Sequence, residues 1–342
     1  MVENPVRRAV VLGDGSWGTT LALLLAHKGI ETVLWSAFAE QAAEIEAARE
    51  NKRFLPGSPF PDTLHSSADP FAAAEGADIA VSVVPTQFLR QVAMRFEDAL
   101  PGKLPIVTAS KGLEIETFRS PGQILQELLG DRPMAVLTGP SHAEEVARGL
   151  PASLVAASSD ESLAQRVQDA FSGETFRVYR HDDAYGAELA GALKNVIALA
   201  AGICDGLELG DNAKSALLTR GIVEMARFGE ARGARATTFF GLAGIGDLIT
   251  TCTSPHSRNR GVGELIGRGK KLEQILSEMN MVAEGVWTTK ALFGPESEAA
   301  VPMPIAEQVH AVLFEDRDPR EAVLALMSRE PTEEMGSLFG AS

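Results

Sequence analysis

Residues 8–29, RAVVLGDGSWGTTLALLLAHKG, place Gly13, Gly15 and Gly18 directly after a short β-branched run and at the head of an apolar helical segment that stops at Gly29. No other stretch constrains the fold as tightly. A strand, a glycine turn and a helix start in that order form the phosphate-binding end of a βαβ unit, where the glycines permit a tight turn, close backbone approach and close helix packing. The pyrophosphate of a dinucleotide then meets a positive helix N-terminus. Gly13, Gly15 and Gly18 are therefore read as cofactor-binding, with Ser16 and Trp17 against the cofactor, although a tryptophan more often serves packing.

The first half continues in the same style. The runs TVLW (32–35), IAVSVV (79–84), PIVTAS (105–110), MAVLT (134–138) and SLVAAS (153–158) are nearly all apolar, as strands are when helices cover both faces of a parallel sheet. After FRVYR (176–180) the texture becomes helical and rich in Ala and Leu. The pattern predicts an α/β domain over 1–184, built on a doubly wound, mostly parallel sheet, and an all-α domain over 185–342 that carries substrate and chemistry. A length of 342 residues suits two such domains.

A net charge of −15 disfavours nucleic acid and anionic membrane surfaces, because a duplex binder needs a basic footprint. An anionic ligand must then be caught by local cations. The only cysteines, Cys204 and Cys252, form no zinc-type or redox pattern, so no metal is expected and the chain reads as reduced and intracellular. No run approaches 18 unbroken apolar residues, which predicts a cytoplasmic protein without membrane insertion.

The adenosine ribose of a dinucleotide is read at the end of the second strand, by Asp or Glu for NAD and by Arg for NADP. Here Ser36 and Ala37 supply neither signal, so the cofactor is NAD or NADP with no preference assigned. Phe38 suits either adenine stacking or packing.

Three stretches carry chemistry in addition. TASKGLE puts Lys111 just past a strand end, where open α/β sheets bind ligands. LTGPSHAEEVARG puts Gly139, Ser141 and Ala143 past another, with Pro140, Glu144 and Glu145 marking a helix start. In AELAGALKNVIALAAG, Lys194 and Asn195 share one helical face with Ala187, Gly191 and Ala198. Lys194 either packs its stem on the core with the ammonium snorkelling to water or paired with Glu188 or Asp205, or is a buried lysine whose pKa is lowered by burial and a second cation such as Lys111, fit for general acid–base work.

Two more features follow. FGLAGIGD delivers Asp247 at a turn where backbones approach closely. In TCTSPHSRNRG, Ser254 reads as an N-cap and Pro255 as the first helical residue, so that Ser257, Arg258 and Asn259 fill the opening turn. Amides, dipole and guanidinium there suit a phosphate, and a solvated helix start is the alternative. His256 is read as incidental.

The glycine turn, SKG, TGPSHAEE, LAGALKNVIALAAGICDG, AKSALLTRG and GLAGIGDLITTCTSPHSRNRG, in this order, make the chain resemble the bacterial NAD(P)-dependent glycerol-3-phosphate dehydrogenases from about residue 8 to 330. The resemblance implies a Rossmann domain followed by an all-α domain, a homodimer, and interconversion of sn-glycerol 3-phosphate and dihydroxyacetone phosphate in support of phospholipid synthesis. It implies that Ser16 and Trp17 touch the dinucleotide, that Ala143 lies beside it, and that Lys111 touches cofactor and substrate. Gly139, Ser141, Asp247, Ser257, Arg258 and Asn259 match substrate positions, and Arg258 reaches the cofactor as well. Lys194 matches the proton acceptor. Val282 and Glu284, in MVAEGVWTTK, match a segment that closes on the cofactor. One departure stands out: Ala37 replaces a residue that is commonly basic in the family, two positions after the tryptophan of its LW pair.

Two other readings compete. A related dehydrogenase for a β-hydroxyacid or a ketopantoate-like carboxylate would keep the lysine but need a carboxylate clamp. A silent dinucleotide sensor would need no buried proton donor.

Overall fold

The apolar runs become strands, and the strands form one sheet. A computed structural model describes residues 5–279, 282–297, 301–331 and 334. In chain order the first half runs β1 (Arg8–Leu12), α1 (Ser16–His27), β2 (Glu31–Trp35), α2 (Ala39–Ala48), β3 (Leu64–Ser67), α3 (Pro70–Ala74), β4 (Ile79–Ser82), α4 (Thr86–Arg95), β5 (Ile106–Thr108), α5 (Pro121–Leu129), β6 (Met134–Thr138), α6 (Ala143–Ala147), β7 (Ala152–Ala157), α7 (Glu161–Phe171) and β8 (Phe176–His181). The eight strands are ordered β3-β2-β1-β4-β5-β6-β7-β8. Side chains of β1 alternate between two apolar cores: Ala9 and Val11 join Leu21, Leu25, Ile79 and Val81 on one face, while Val10 and Leu12 join Trp35, Leu89, Phe96 and Ile124 on the other. That two-sided burial is the physical reason these strands read as unbroken apolar runs.

The sheet is mostly parallel, as the sequence pattern predicts, and two of its details carry no signal in the sequence. β7 pairs antiparallel with β6, while β1–β2, β1–β4, β2–β3, β4–β5, β5–β6 and β7–β8 are parallel. Between Thr138 and Ala152 the chain has room only for the one-turn α6, too little for a covering crossover helix, so it doubles back. β3, LHSS, is an edge strand with one fully buried residue, and its polar sequence gives no strand signal.

From residue 184 onward the elements are α8 (Ala184–Gly206), α9 (Gly210–Ala231), α10 (Ala236–Phe239), a wide π-helical turn (Leu242–Gly246), α11 (Asp247–Thr253), α12 (Arg258–Gly267), α13 (Leu272–Glu278), α14 (Glu284–Leu292), α15 (Pro304–Phe314) and α16 (Pro319–Met327). Among the described residues no strand follows β8. α8 is the core helix of this half: it is long and apolar enough to cross a bilayer, yet 94% of its most apolar window is buried inside the protein. Glu224 of α9 caps α15 from the side, accepting the amides of Ile305 and Ala306 at 2.9 Å each. Burial pushes its carboxyl up to about 7, against the pull of those two amides.

The chain forms two compact units, one of residues up to Ser110 with Pro121–Ala184, the other of Lys111–Ser120 with Tyr185 onward. Sequence texture groups residues 111–120 with the first half, but they pack with the helices. The Phe118 ring lies edge-on to Phe228 at 6.2 Å, Arg232 covers Phe118 at 4.7 Å, and Ser120 Oγ donates to Glu188 Oε2 at 2.6 Å. Lys111 therefore belongs to the helical unit.

Candidate active site

In the sheet unit, the cofactor candidates gather around the turn between β1 and α1. Gly13 N donates to Trp35 O at 3.0 Å, which ties the turn to the end of β2. A Cβ on Gly18 would fall 1.9 Å from Gly13 O, so only glycine closes this turn. A Cβ on Gly15 would meet nothing within 4 Å, and α1 begins there without a side-chain cap. The turn thus offers open space, no side-chain bulk and a helix N-terminus at one place, which fits a dinucleotide pyrophosphate. Ser16 opens α1, and its carbonyl accepts Thr20 Oγ1 at 2.8 Å. Trp17 packs on the core with its ring 6.5 Å from Phe176, so packing accounts for one face of it. Ala143 opens α6 and accepts from Thr20 Oγ1 at 3.4 Å, which places it against α1. Gly139 and Ser141 follow β6, with Ser141 Oγ donating to Gly139 O at 3.0 Å. Phe38 is 69% exposed, so it does not serve packing.

In the helical unit, three charged groups meet. Asp247, the first residue of α11, receives Lys194 Nζ on Oδ1 at 2.7 Å and Lys111 Nζ on Oδ2 at 2.6 Å. Lys194 Nζ also donates to Thr251 Oγ1 at 2.6 Å. Local sequence explains the placement of Asp247: the π-helical turn needs glycine at 244, where a Cβ would sit 1.9 Å from Phe239 O, and it feeds directly into α11. The side chains of Lys194 and Asp247 are 6% and 3% exposed, whereas Lys111 is 20% exposed. Burial lowers the Lys194 pKa, Asp247 opposes this, Lys111 adds to it, and the result is about 8. Burial alone would raise Asp247, but the two ammonium groups reverse that and hold it below the ordinary carboxylate range. The partners considered from the sequence, Glu188 and Asp205, are engaged elsewhere: Glu188 with Ser120, and Asp205 with Lys214 at 2.8 Å and Arg260 at 2.7 Å.

The helix start in TCTSPHSRNRG lies three residues later than the sequence suggests. Ser254 ends α11, and α12 begins at Arg258 with Ser257 as its N-cap, Oγ accepting Arg260 N at 3.2 Å. Pro255 favours extended backbone at Ser254, which closes α11 and forces a separate start for α12. The two arginines then have different roles. Arg260 is a strut, bonded to Asp205, to Glu264 at 3.0 Å and to Ser254 O at 3.1 Å. Arg258 is exposed and donates to Val282 O at 2.8 Å. Asn259 is buried, its Nδ2 donating to Asn195 Oδ1 and its Oδ1 accepting Gly285 N, both at 2.9 Å. It joins α8, α12 and the start of α14, where Glu284 is the first residue.

Thr251 was not among the sequence candidates, although it sits four residues after Asp247 on the same face of α11. That spacing was the available signal. Asn195, adjacent to Lys194 on α8, likewise gains its role only through Asn259.

Two family models match the chain in succession. Residues 8–164 match the family model described as NAD-dependent glycerol-3-phosphate dehydrogenase N-terminus, and residues 183–324 match its C-terminus counterpart. The chain is 48% identical over 332 residues to the glycerol-3-phosphate dehydrogenase (NAD(P)+) of Chlorobium phaeobacteroides (strain BS1), covering 96% of this chain and 99% of that one. It is 49% identical over 325 residues to the same enzyme of Geobacter sp. (strain M21), with coverage of 94% and 97%. The crystal structure of glycerol-3-phosphate dehydrogenase from Coxiella burnetii superposes with a TM-score of 0.90 at 40% identity, covering 94% of this chain and 99% of that one. A ketopantoate reductase from Ralstonia eutropha JMP134 has a TM-score of 0.56 at 15% identity and shares the fold alone. With matched residues running nearly end to end, the chain belongs to the NAD(P)-dependent glycerol-3-phosphate dehydrogenase family.

Proposed function

We propose that this chain interconverts sn-glycerol 3-phosphate and dihydroxyacetone phosphate, with Lys194 as the group that takes and returns the C2 hydroxyl proton. The observation that carries this reading is a buried lysine, brought to about 8, between a carboxylate and a threonine hydroxyl. An ammonium with that pKa exchanges its proton near neutrality, as a general acid–base group must.

In this reading Gly13, Gly15, Ser16, Trp17, Gly18 and Ala143 would hold NAD(P), as would Arg258, Val282 and Glu284, and the bound group would supply the hydride acceptor or donor. The protein's own residues do the rest. Neutral Lys194 accepts the hydroxyl proton during oxidation, and protonated Lys194 donates it to the carbonyl oxygen during reduction. Asp247 orients Lys194 and Lys111 through separate oxygens, so neither ammonium can rotate freely. Lys111, the more exposed of the two, is suited to a substrate oxygen. Thr251 fixes the remaining geometry of Lys194 by donating onward to Asp247 O at 2.6 Å. Ser257, Arg258 and Asn259, with Gly139 and Ser141, receive the rest of the substrate in this reading, Arg258 holding the phosphate. Binding energy from that non-reacting end positions C2.

The direct test is loss of reduced-nicotinamide absorbance when dihydroxyacetone phosphate is added to purified protein, with NADH and NADPH in parallel. Oxidation of either supports the reading. No oxidation with dihydroxyacetone phosphate, but activity with a β-ketoacid or ketopantoate, would replace it with the carboxylate alternative; binding without turnover would favour a sensor. In the same assay, Arg258→Ala should raise KM for dihydroxyacetone phosphate about ten-fold or more, because a charge-assisted hydrogen bond is lost. An unchanged KM and kcat would remove Arg258 from phosphate binding. A cytoplasmic homodimer serving phospholipid synthesis completes the proposal and rests on family resemblance.

A further inference from the structure

Lys111 is the most exposed of the three charged groups, yet its ammonium meets Asp247 Oδ2 at 2.6 Å. The segment that carries it, residues 111–120, explains how. Its backbone closes into a knot: Glu114 N donates to Arg119 O at 3.0 Å, and Phe118 N donates to Glu114 O at 2.9 Å. Thr117 Oγ1 donates to Glu114 Oε2 and accepts Arg119 N at 3.3 Å. Leu113 and Glu114 are buried, so only Gly112 separates Lys111 from the buried start of the knot. A connection that short passes any displacement of the knot on to the lysine.

Two anchors hold the knot on the helices. Buried Ser120 donates its Oγ to Glu188 Oε2 of α8 at 2.6 Å, and Glu188 is buried as well. Phe118 is buried with its ring edge-on to Phe228 of α9 at 6.2 Å. The guanidinium of Arg232, which ends α9, covers the Phe118 ring at 4.7 Å and the Phe228 ring at 5.5 Å. Phe118 sits at φ 57°, a left-handed conformation that a bulky residue keeps only where its surroundings impose it. α8 carries Lys194 as well as Glu188, so the helix that presents one lysine also anchors the segment that presents the other.

We propose that residues 113–120 are a positioning strap for Lys111, and that Ser120, Glu188, Phe118 and Arg232 act on the reaction through that lysine without touching substrate. The bearing of the strap on turnover rests on the roles proposed above for Lys111 and Lys194. Burial is the main cause that lowers the Lys194 pKa, and the titratable groups acting on it are Asp247 and Cys252 of α11 and Lys111 of the strap segment. When the strap slips, Lys194 loses a neighbouring cation and keeps Asp247 to itself. Both changes favour its charged form and move its pKa upward.

Competitive acetylation of the full chain at a series of pH values around 8, read by peptide mass spectrometry, reports on each lysine without turnover. Ser120→Ala and Arg232→Ala should each raise the reactivity of Lys111 about five-fold or more, the scale of one hydrogen bond. The Lys194 midpoint should move upward from about 8 in both. Glu188→Gln, which keeps an acceptor for Ser120 Oγ, should label as the native protein does. The two alanine variants release different anchors, so either carries the test if the other fails to fold. In turnover, the same two variants should raise KM for dihydroxyacetone phosphate by a similar factor. Lower thermal stability with native labelling of both lysines would make the anchors merely structural and overturn the proposal. A labelling change in protein that does not turn over dihydroxyacetone phosphate would support the strap and count against the substrate alone.

Discussion

Lys194→Ala lowers kcat for both directions by about 10²- to 10⁴-fold, the range that a positioned general acid–base group contributes. The expectation is that chemistry fails while the fold survives. Asp247 keeps Lys111 at 2.6 Å, so the carboxylate does not become an unpaired buried charge when Lys194 is removed. The pH dependence gives a sharper criterion than the rate alone. With Lys194 as the proposed proton acceptor, oxidation of glycerol 3-phosphate requires its neutral form, so the rate should rise as pH passes upward through about 8. Reduction needs the protonated form and should fall over the same interval. Steady-state rates against pH for native protein and variant check both signs. A variant that retains the native rate, or the same limb near 8, would show that another group moves the proton.

Gly18→Ala should nearly abolish dinucleotide binding, weakening it by about 100-fold or more, while lowering thermal stability. The added Cβ would lie 1.9 Å from Gly13 O and 3.1 Å from Gly13 C, both backbone atoms that move only if the turn opens. Overpacking of this kind costs about 1–3 kcal/mol, occasionally more. Gly15→Ala separates the two effects, because a Cβ there meets nothing within 4 Å. It should leave the thermal midpoint unchanged and reduce only NADH affinity, by occupying the space the pyrophosphate needs. Thermal unfolding and nucleotide titration of both variants provide the comparison. Native affinity in Gly18→Ala would remove this turn as the cofactor site.

The sheet was legible where physics leaves a mark on both faces of a strand. β4 is buried throughout and β1 from Ala9 onward, and their runs can be read directly. β3 escaped because an edge strand needs no apolar run. The reversal at β7 escaped because burial on both faces reads the same in either direction; only the short connection from β6 tells them apart. At the site, a lysine interrupting an apolar helix was visible, but its partner lies 53 residues away and no periodicity spans that distance. The start of α12 was misplaced because serines stand on both sides of Pro255 and each makes a plausible cap.

The allegiance of residues 111–120 bears on how such a chain can be inherited. The matched family segments, 8–164 and 183–324, look like two cassettes joined by a seam. Yet Lys111 and Phe118 lie within the first segment while Asp247 and Phe228, their partners, lie within the second. A recombination event that swapped the first cassette would import a foreign lysine loop and set it against a resident carboxylate and aromatic ring. The two contacts therefore tie the first matched segment to the second: replacing one segment alone preserves them only if the incoming residues again offer a lysine and a ring to the same partners.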